Sequence, residues 1–179
     1  MVSRESHRDV TELFAEVQPD GRGETTGLAA RRVIMTVFAL ISLAALAGFF
    51  GQRSTTSAAV TPSVRMTLAA PETVRGGIFF QALVNIRALT PVEHPRLVLD
   101  EGWLEGLQVN SIEPAAESES GRDGRLVLSY GALEPGDLLR IYFQFEVDPT
   151  NVGERSFTLE LDDEDRLLAR IPRTLRVLP

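Results

Sequence analysis

"RLVLSYGALEPGDLLRIYFQFEVDPTNVGE", residues 125–154, decides how the rest of the chain is read. Within it Leu139, Ile141, Phe143, Phe145 and Val147 alternate with Arg140, Tyr142, Gln144 and Glu146. That period of two is what a strand shows when one face is buried and the other is wet. The turn ahead of it carries Pro135, which presets φ, and Gly136, which accepts positive φ. One strand is therefore expected to end at Leu133 and the next to begin at Leu139.

Working outward, Phe80, Ala82, Val84, Ile86 and Ala88 alternate with Gln81, Leu83, Asn85 and Arg87 in the same way. Shorter strands are expected at 64–69, 95–100, 106–112, 124–130, 155–161 and 166–177, separated by turn signals such as "GRDG", "EPGD" and "DPTNVG". No segment between them has helical periodicity. The prediction is an all-β domain over residues 64–179, an antiparallel β-sandwich of seven to eight strands, with a closed barrel as the alternative. No internal repeat is visible, so the domain is present once.

The stretch from Arg125 to Glu154 resembles the Ig-like sandwich domains of bacterial surface proteins, of the CARDB and conserved-repeat type. In those a strand, a Gly-x-Leu-x-Pro-Gly turn and a long alternating strand follow one another, as Gly131-Ala132-Leu133-Glu134-Pro135-Gly136 and Leu138 to Val147 do here. The segment from Arg96 to Pro114 is similar to the preceding part of such domains. The resemblance implies an Ig-like fold and a spacer, adhesion or assembly role; it supplies no catalytic residue. A single copy behind an N-terminal apolar segment departs from the usual spacer arrangement.

That apolar segment is Val33 to Phe50, 18 residues without a charge. As a helix it rises about 27 Å, close to the roughly 30 Å of a bilayer's hydrocarbon layer. Arg31 and Arg32 stand directly before it, with Arg22 nearby, which puts the positive and hence cytoplasmic side at the N-terminus. The expected organisation is a cytoplasmic tail 1–32, a transmembrane helix 33–51, a Ser/Thr/Ala-rich linker 52–63 and an extracytoplasmic sandwich 64–179, in the plasma membrane of a bacterial cell envelope. Two other readings stay open: the inverted orientation, and a signal cut after Ala47 in Ala45-Leu46-Ala47, with Arg31-Arg32 resembling a twin-arginine export signal.

Ala44, Ala47, Gly48 and Gly51 lie at i, i+3, i+4 and i+7 and are expected to form a stripe against which a partner's membrane helix can pack. In the tail, residues 6–17 place Val10, Leu13, Phe14 and Val17 at the same spacing. This predicts a short amphipathic helix that orders on a protein partner, because so short a helix is marginal alone. Pro19 to Gly27, "PDGRGETTG", lacks the preceding strand and the Lys-Ser/Thr of a phosphate loop and reads as a flexible linker.

Composition excludes several chemistries. The chain has no cysteine and no lysine, so thiol nucleophiles, thiolate metal sites, disulfides and Schiff-base chemistry are absent. Residues 54–179 hold 19 acidic and 12 basic side chains within a net charge of −7 for the chain, which disfavours nucleic acid as a partner. His94 is the sole histidine after the tail, too few for a metal centre. The nearest approach to a serine-nucleophile turn, "VLSYG", has Val127 where a glycine is needed.

Three weaker features remain. Asp162, Asp163 and Asp165, in "DDED", suit a Ca²⁺ ion by residue type, though the same run reads as an acidic hairpin turn. Trp103 can be a sugar-stacking platform or a core residue. The loop Glu113 to Gly124 is polar and is expected to be mobile. The overall expectation is a noncatalytic, cofactor-free, single-pass membrane protein that acts as an accessory subunit of a membrane or envelope complex. Its rival is an envelope-glycan or calcium-dependent adhesion module, with glycan cleavage a distant third.

Overall fold

The computed structural model describes residues 21–46 and 52–179. The chain divides into two units, Met1–Phe50 and Gly51–Pro179. In the first, helix α1 spans Gly21–Leu46. It begins earlier than expected: most of the linker assigned to Pro19–Gly27 is helical from Gly21 on. Extending a helix that is already nucleated adds one hydrogen bond per residue fixed, so the apolar segment can carry Gly21 and Gly23 despite their poor propensity.

The second unit contains, among the described residues, eleven strands: β1 (Ser54–Val60), β2 (Val64–Pro71), β3 (Thr73–Arg75), β4 (Phe79–Ala88), β5 (Pro95–Leu99), β6 (Leu107–Glu113), β7 (Ser118–Arg122), β8 (Arg125–Ser129), β9 (Leu138–Val147), β10 (Gly153–Asp163) and β11 (Arg166–Leu178). They form one sheet in the order β1-β2-β4-β9-β6 and another in the order β3-β11-β10-β5-β8-β7. All pairings are antiparallel except β3 with β11. The two sheets share one core, which makes the unit an Ig-like antiparallel sandwich.

The two long alternating segments are neighbours at its centre. Phe80 lies opposite Phe145, Ala82 opposite Phe143 and Val84 opposite Ile141, and all six side chains are buried. A small residue facing a large one lets the layer fill without voids. From the other sheet Phe157, Leu159 and Leu161 of β10 and Leu97 and Leu99 of β5 complete the core.

Three strands go beyond the expected seven or eight. The stretch expected as a linker, 52–63, holds β1, paired residue by residue with β2 from Ser54↔Pro71 to Val60↔Arg65. The loop expected to be mobile holds β7, paired with β8 from Ser118↔Ser129 to Arg122↔Arg125. β3 is a three-residue edge. At the central turn, β8 ends at Ser129 rather than Leu133, and Leu133 is instead held by two backbone hydrogen bonds to Val92. Gly136 has φ +99°, and the Asp137 amide donates to the Glu134 carbonyl at 3.0 Å, the geometry for which Pro135-Gly136 is suited.

Candidate functional surfaces

Trp103 is a core residue. It ends a single 3-10 turn, Glu101–Trp103, between β5 and β6 and is 1% exposed. Its ring packs on Phe145 and Phe157, with centroids 5.2 and 4.2 Å away, and its indole Nε1 donates to the Thr158 carbonyl at 3.0 Å. The sugar-stacking reading is therefore overturned: neither ring face reaches solvent. Gly102 permits this approach, because a Cβ there would overlap the Ser156 carbonyl oxygen.

The acidic run closes the β10–β11 hairpin. Asp163 is engaged within the protein: its Oδ1 accepts from the His94 amide at 2.9 Å and its Oδ2 from Arg166 at 3.0 Å. The His94 amide, then the Arg166 guanidinium, hold its carboxyl below the usual carboxylate range, against the opposing pull of desolvation. Asp165 is fully exposed, 3.7 Å from Arg96. Burial first and Glu160 second push the carboxyl of Asp162 up. Among the described residues no group of three or more histidines and carboxylates converges to hold a metal ion.

His94 is exposed and sits 3.6 Å from Glu164, also exposed. Its side chain therefore faces solvent. Val127 is in mid-strand on β8, so no nucleophile turn forms there. Tyr130 is buried, its hydroxyl has no partner among the described residues, and burial, aided by Glu119, pushes its pKa up to about 12.

Asp162 belongs to a shallow groove of about 640 Å³ on the outer face of β10, β5 and β8. Val98 and Val127, opposite one another in the register, lie along it, outside the buried Leu97 and Leu128. Its rim carries the carboxylates of Asp100, Glu101, Asp123, Asp162, Glu164 and Asp165 against Arg96 and Arg125. Asp100 Oδ1 is buried and accepts no hydrogen bond from the described residues.

Toward the other edge of this sheet, Arg173 of β11 is 3% exposed and reaches across to the facing sheet. Its Nη1 donates to the carbonyls of Thr55 at 2.9 Å and Leu68 at 3.3 Å, its Nη2 donates to the Ala70 carbonyl at 3.0 Å, and Glu72 lies 3.5 Å away. Burial pulls this guanidinium below its usual range and Glu72 partly restores it. The sequence reading missed Arg173, although the signal is there: it shares the inward parity of Ile171, Leu175 and Val177 along the alternating strand, where an apolar residue is expected.

On α1 the described part of the apolar segment, Val33–Leu46, belongs to a 20-residue span, Gly27–Leu46, that is long and apolar enough to cross a membrane and has no buried residue. Ala44 lies on this helix and is partly covered. Ala47, Gly48 and Gly51, and likewise Val10, Leu13, Phe14 and Val17 of the expected 6–17 helix, lie outside the described residues.

No family model matches the chain, and no curated protein matches it. Solved structures with a similar fold include a non-cellulosomal cohesin from Archaeoglobus fulgidus, 18% identical over 71% of this chain and 92% of that one, with a TM-score of 0.43. A CARDB domain from Pyrococcus furiosus, determined with di-metal ions, is 14% identical over 66% of this chain and 97% of that one, with a TM-score of 0.42. A cohesin domain from Clostridium acetobutylicum is 12% identical over 72% of this chain and 93% of that one, with a TM-score of 0.41. Likenesses this distant concern the fold and transfer no function to this chain.

Proposed function

We infer that the chain is a noncatalytic, single-pass membrane protein that carries an Ig-like interaction module in a bacterial cell envelope, as an accessory subunit of a membrane or envelope complex. One observation carries the reading: helix Gly27–Leu46, charge-free from Val33 on, is long and apolar enough to cross a membrane, and none of its residues is buried. Leaving such a helix in water forfeits about 25 cal/mol for every Å² of apolar surface, so a bilayer is the environment that suits it. Arg31 and Arg32 at its start favour an N-terminus in the cytoplasm and a sandwich outside.

The sandwich supports an interaction role through its surfaces. Its one tryptophan is in the core, and the carboxylates on its outside line shallow, open surface. What it offers a partner is two broad sheet faces and four edge strands.

Purification of the full chain in mild detergent, with mass spectrometry of the intact protein and of co-purifying proteins, tests this. The expected result is an unprocessed mass in the membrane fraction together with a stoichiometric membrane-protein partner or a second copy of the chain. A mass beginning at Gly48 removes the anchor. A full-length chain that emerges alone and monomeric removes the accessory role.

A further inference from the structure

Three arginines on the outer face of the β1-β2-β4-β9-β6 sheet lack a carboxylate among the described residues. Arg65 of β2 lies directly opposite Arg87 of β4, and Arg140 of β9 lies one step along, opposite Asn85. Like charges placed opposite on neighbouring strands destabilise a sheet. Several arginines elsewhere in the sandwich meet acids, Arg125 and Arg170 at Glu160, Arg166 at Asp163 and Arg176 at Glu154, while Arg155 donates to the Glu105 and Asn151 carbonyls. Here Arg87 donates to the Gly136 carbonyl at 3.1 Å and Arg140 to Asn85 Oδ1 at 3.0 Å, both uncharged acceptors. The carboxylates of the same face, Glu113 and Glu146 on β6 and β9, form no ion pair with any of the three among the described residues.

A chain with 25 acidic and 18 basic residues has no shortage of acids, so a cationic cluster without them leaves its compensation to another molecule. Beside the cluster the face is apolar. Tyr142, 44% exposed, lies opposite the half-buried Leu83, and Leu138 is also 44% exposed.

We propose that this face docks on the groove of a second copy of the same chain, on the outer face of its β10-β5-β8 strands. The groove supplies what the arginines lack, six carboxylates against two arginines, with the half-buried Val127 between them to receive Tyr142 and Leu83. The two surfaces lie on opposite outer faces of one sandwich, so the contact is heterologous: each copy uses one face on the neighbour before it and the other on the neighbour after it. Such contacts propagate into rows unless the rotation closes a ring. The inference rests on the reading of the sandwich as an interaction module, whose partner it names, and is independent of the membrane anchor.

The native chain has no cysteine, so Tyr142→Cys and Val127→Cys each introduce a sole thiol. Full-length Y142C and V127C proteins are mixed in mild detergent and oxidised. The expected result is a disulfide-linked dimer in the mixture at about tenfold the yield of either variant alone, weakened as salt rises from roughly 50 to 500 mM because exposed charges are screened. Adding Arg87→Glu and Arg140→Glu to the Y142C chain abolishes the cross-link. Adding Asp162→Arg and Glu164→Arg to its V127C partner restores it, a rescue that misfolding would not give. Equal yields with and without mixing, dominance of dimers that the Y142C chain forms with itself, or indifference to charge reversal overturn the proposal. A chain that is monomeric here yet co-purifies with another membrane protein overturns this inference and leaves the proposed function standing.

Discussion

Arg173 donates from Nη1 to the main-chain carbonyl of Thr55, 118 residues earlier, at 2.9 Å. One side chain thus ties the first strand of the sandwich to its last, across the gap between the sheets. Of β1 only Ala59 packs against the core, with Ser57 half-buried and Thr55 exposed, so polar ties do more to hold the strand than apolar burial does. Arg173→Met is expected to strand the carbonyls of Thr55, Leu68 and Ala70 at about 1–3 kcal/mol for each that water cannot reach. Hydrogen exchange on the full chain checks this: β1 amides lose protection first while those of β4 and β9 keep theirs.

Gly102 is fixed by Trp103. A methyl group at 102 overlaps the Ser156 carbonyl and meets the Phe157 side chain at 3.0 Å, so Gly102→Ala must displace β10 or the tryptophan. The expected loss is about 1–3 kcal/mol, typical of an overpacked core. Denaturant unfolding followed by the emission of Trp103, the only tryptophan, measures it directly.

Adjacent aspartates in the β10 hairpin should respond to pH with opposite sign. The carboxyl of Asp163 is held down by the His94 amide and Arg166, so it contributes stability above the unfolded-state carboxylate range, lost as pH falls through its lowered folded value. The carboxyl of Asp162 is pushed up, so it opposes folding at neutral pH and ceases to do so once it is protonated. Asp163→Asn is therefore expected to destabilise the protein at pH 7 and to approach the native chain in acid. Asp162→Asn is expected to stabilise it at pH 7, with the gain vanishing below the ordinary carboxylate range. Thermal midpoints of both variants between roughly pH 3 and 7 decide the signs.

The legibility of these features follows from how much apolar pattern each leaves in the chain. β4 and β9 bury one full face each, so their period of two is written in Phe80 to Ala88 and Leu139 to Val147, and the eight strands expected from pattern lie close to their observed positions. β1 reads "STTSAAV" and β7 "SESGR": edge strands held by backbone pairing with little to bury, indistinguishable in composition from loops. Trp103 stays open between core and surface in the sequence because its aromatic character suits both, and only the neighbouring Phe145 and Phe157 decide it. The arginine cluster is illegible for a further reason. Arg65, Arg87 and Arg140 are far apart in sequence, and only the β2-β4-β9 register brings them onto one face.

The central claim is that a retained apolar helix holds the sandwich outside the cytoplasm. The exposed loop residue Val152, changed to cysteine in a chain that otherwise has none, gives one thiol on the sandwich for a membrane-impermeant maleimide added to intact cells. The account predicts that full-length protein in the membrane fraction is labelled before lysis, to the same extent as after it. Labelling only after lysis contradicts it.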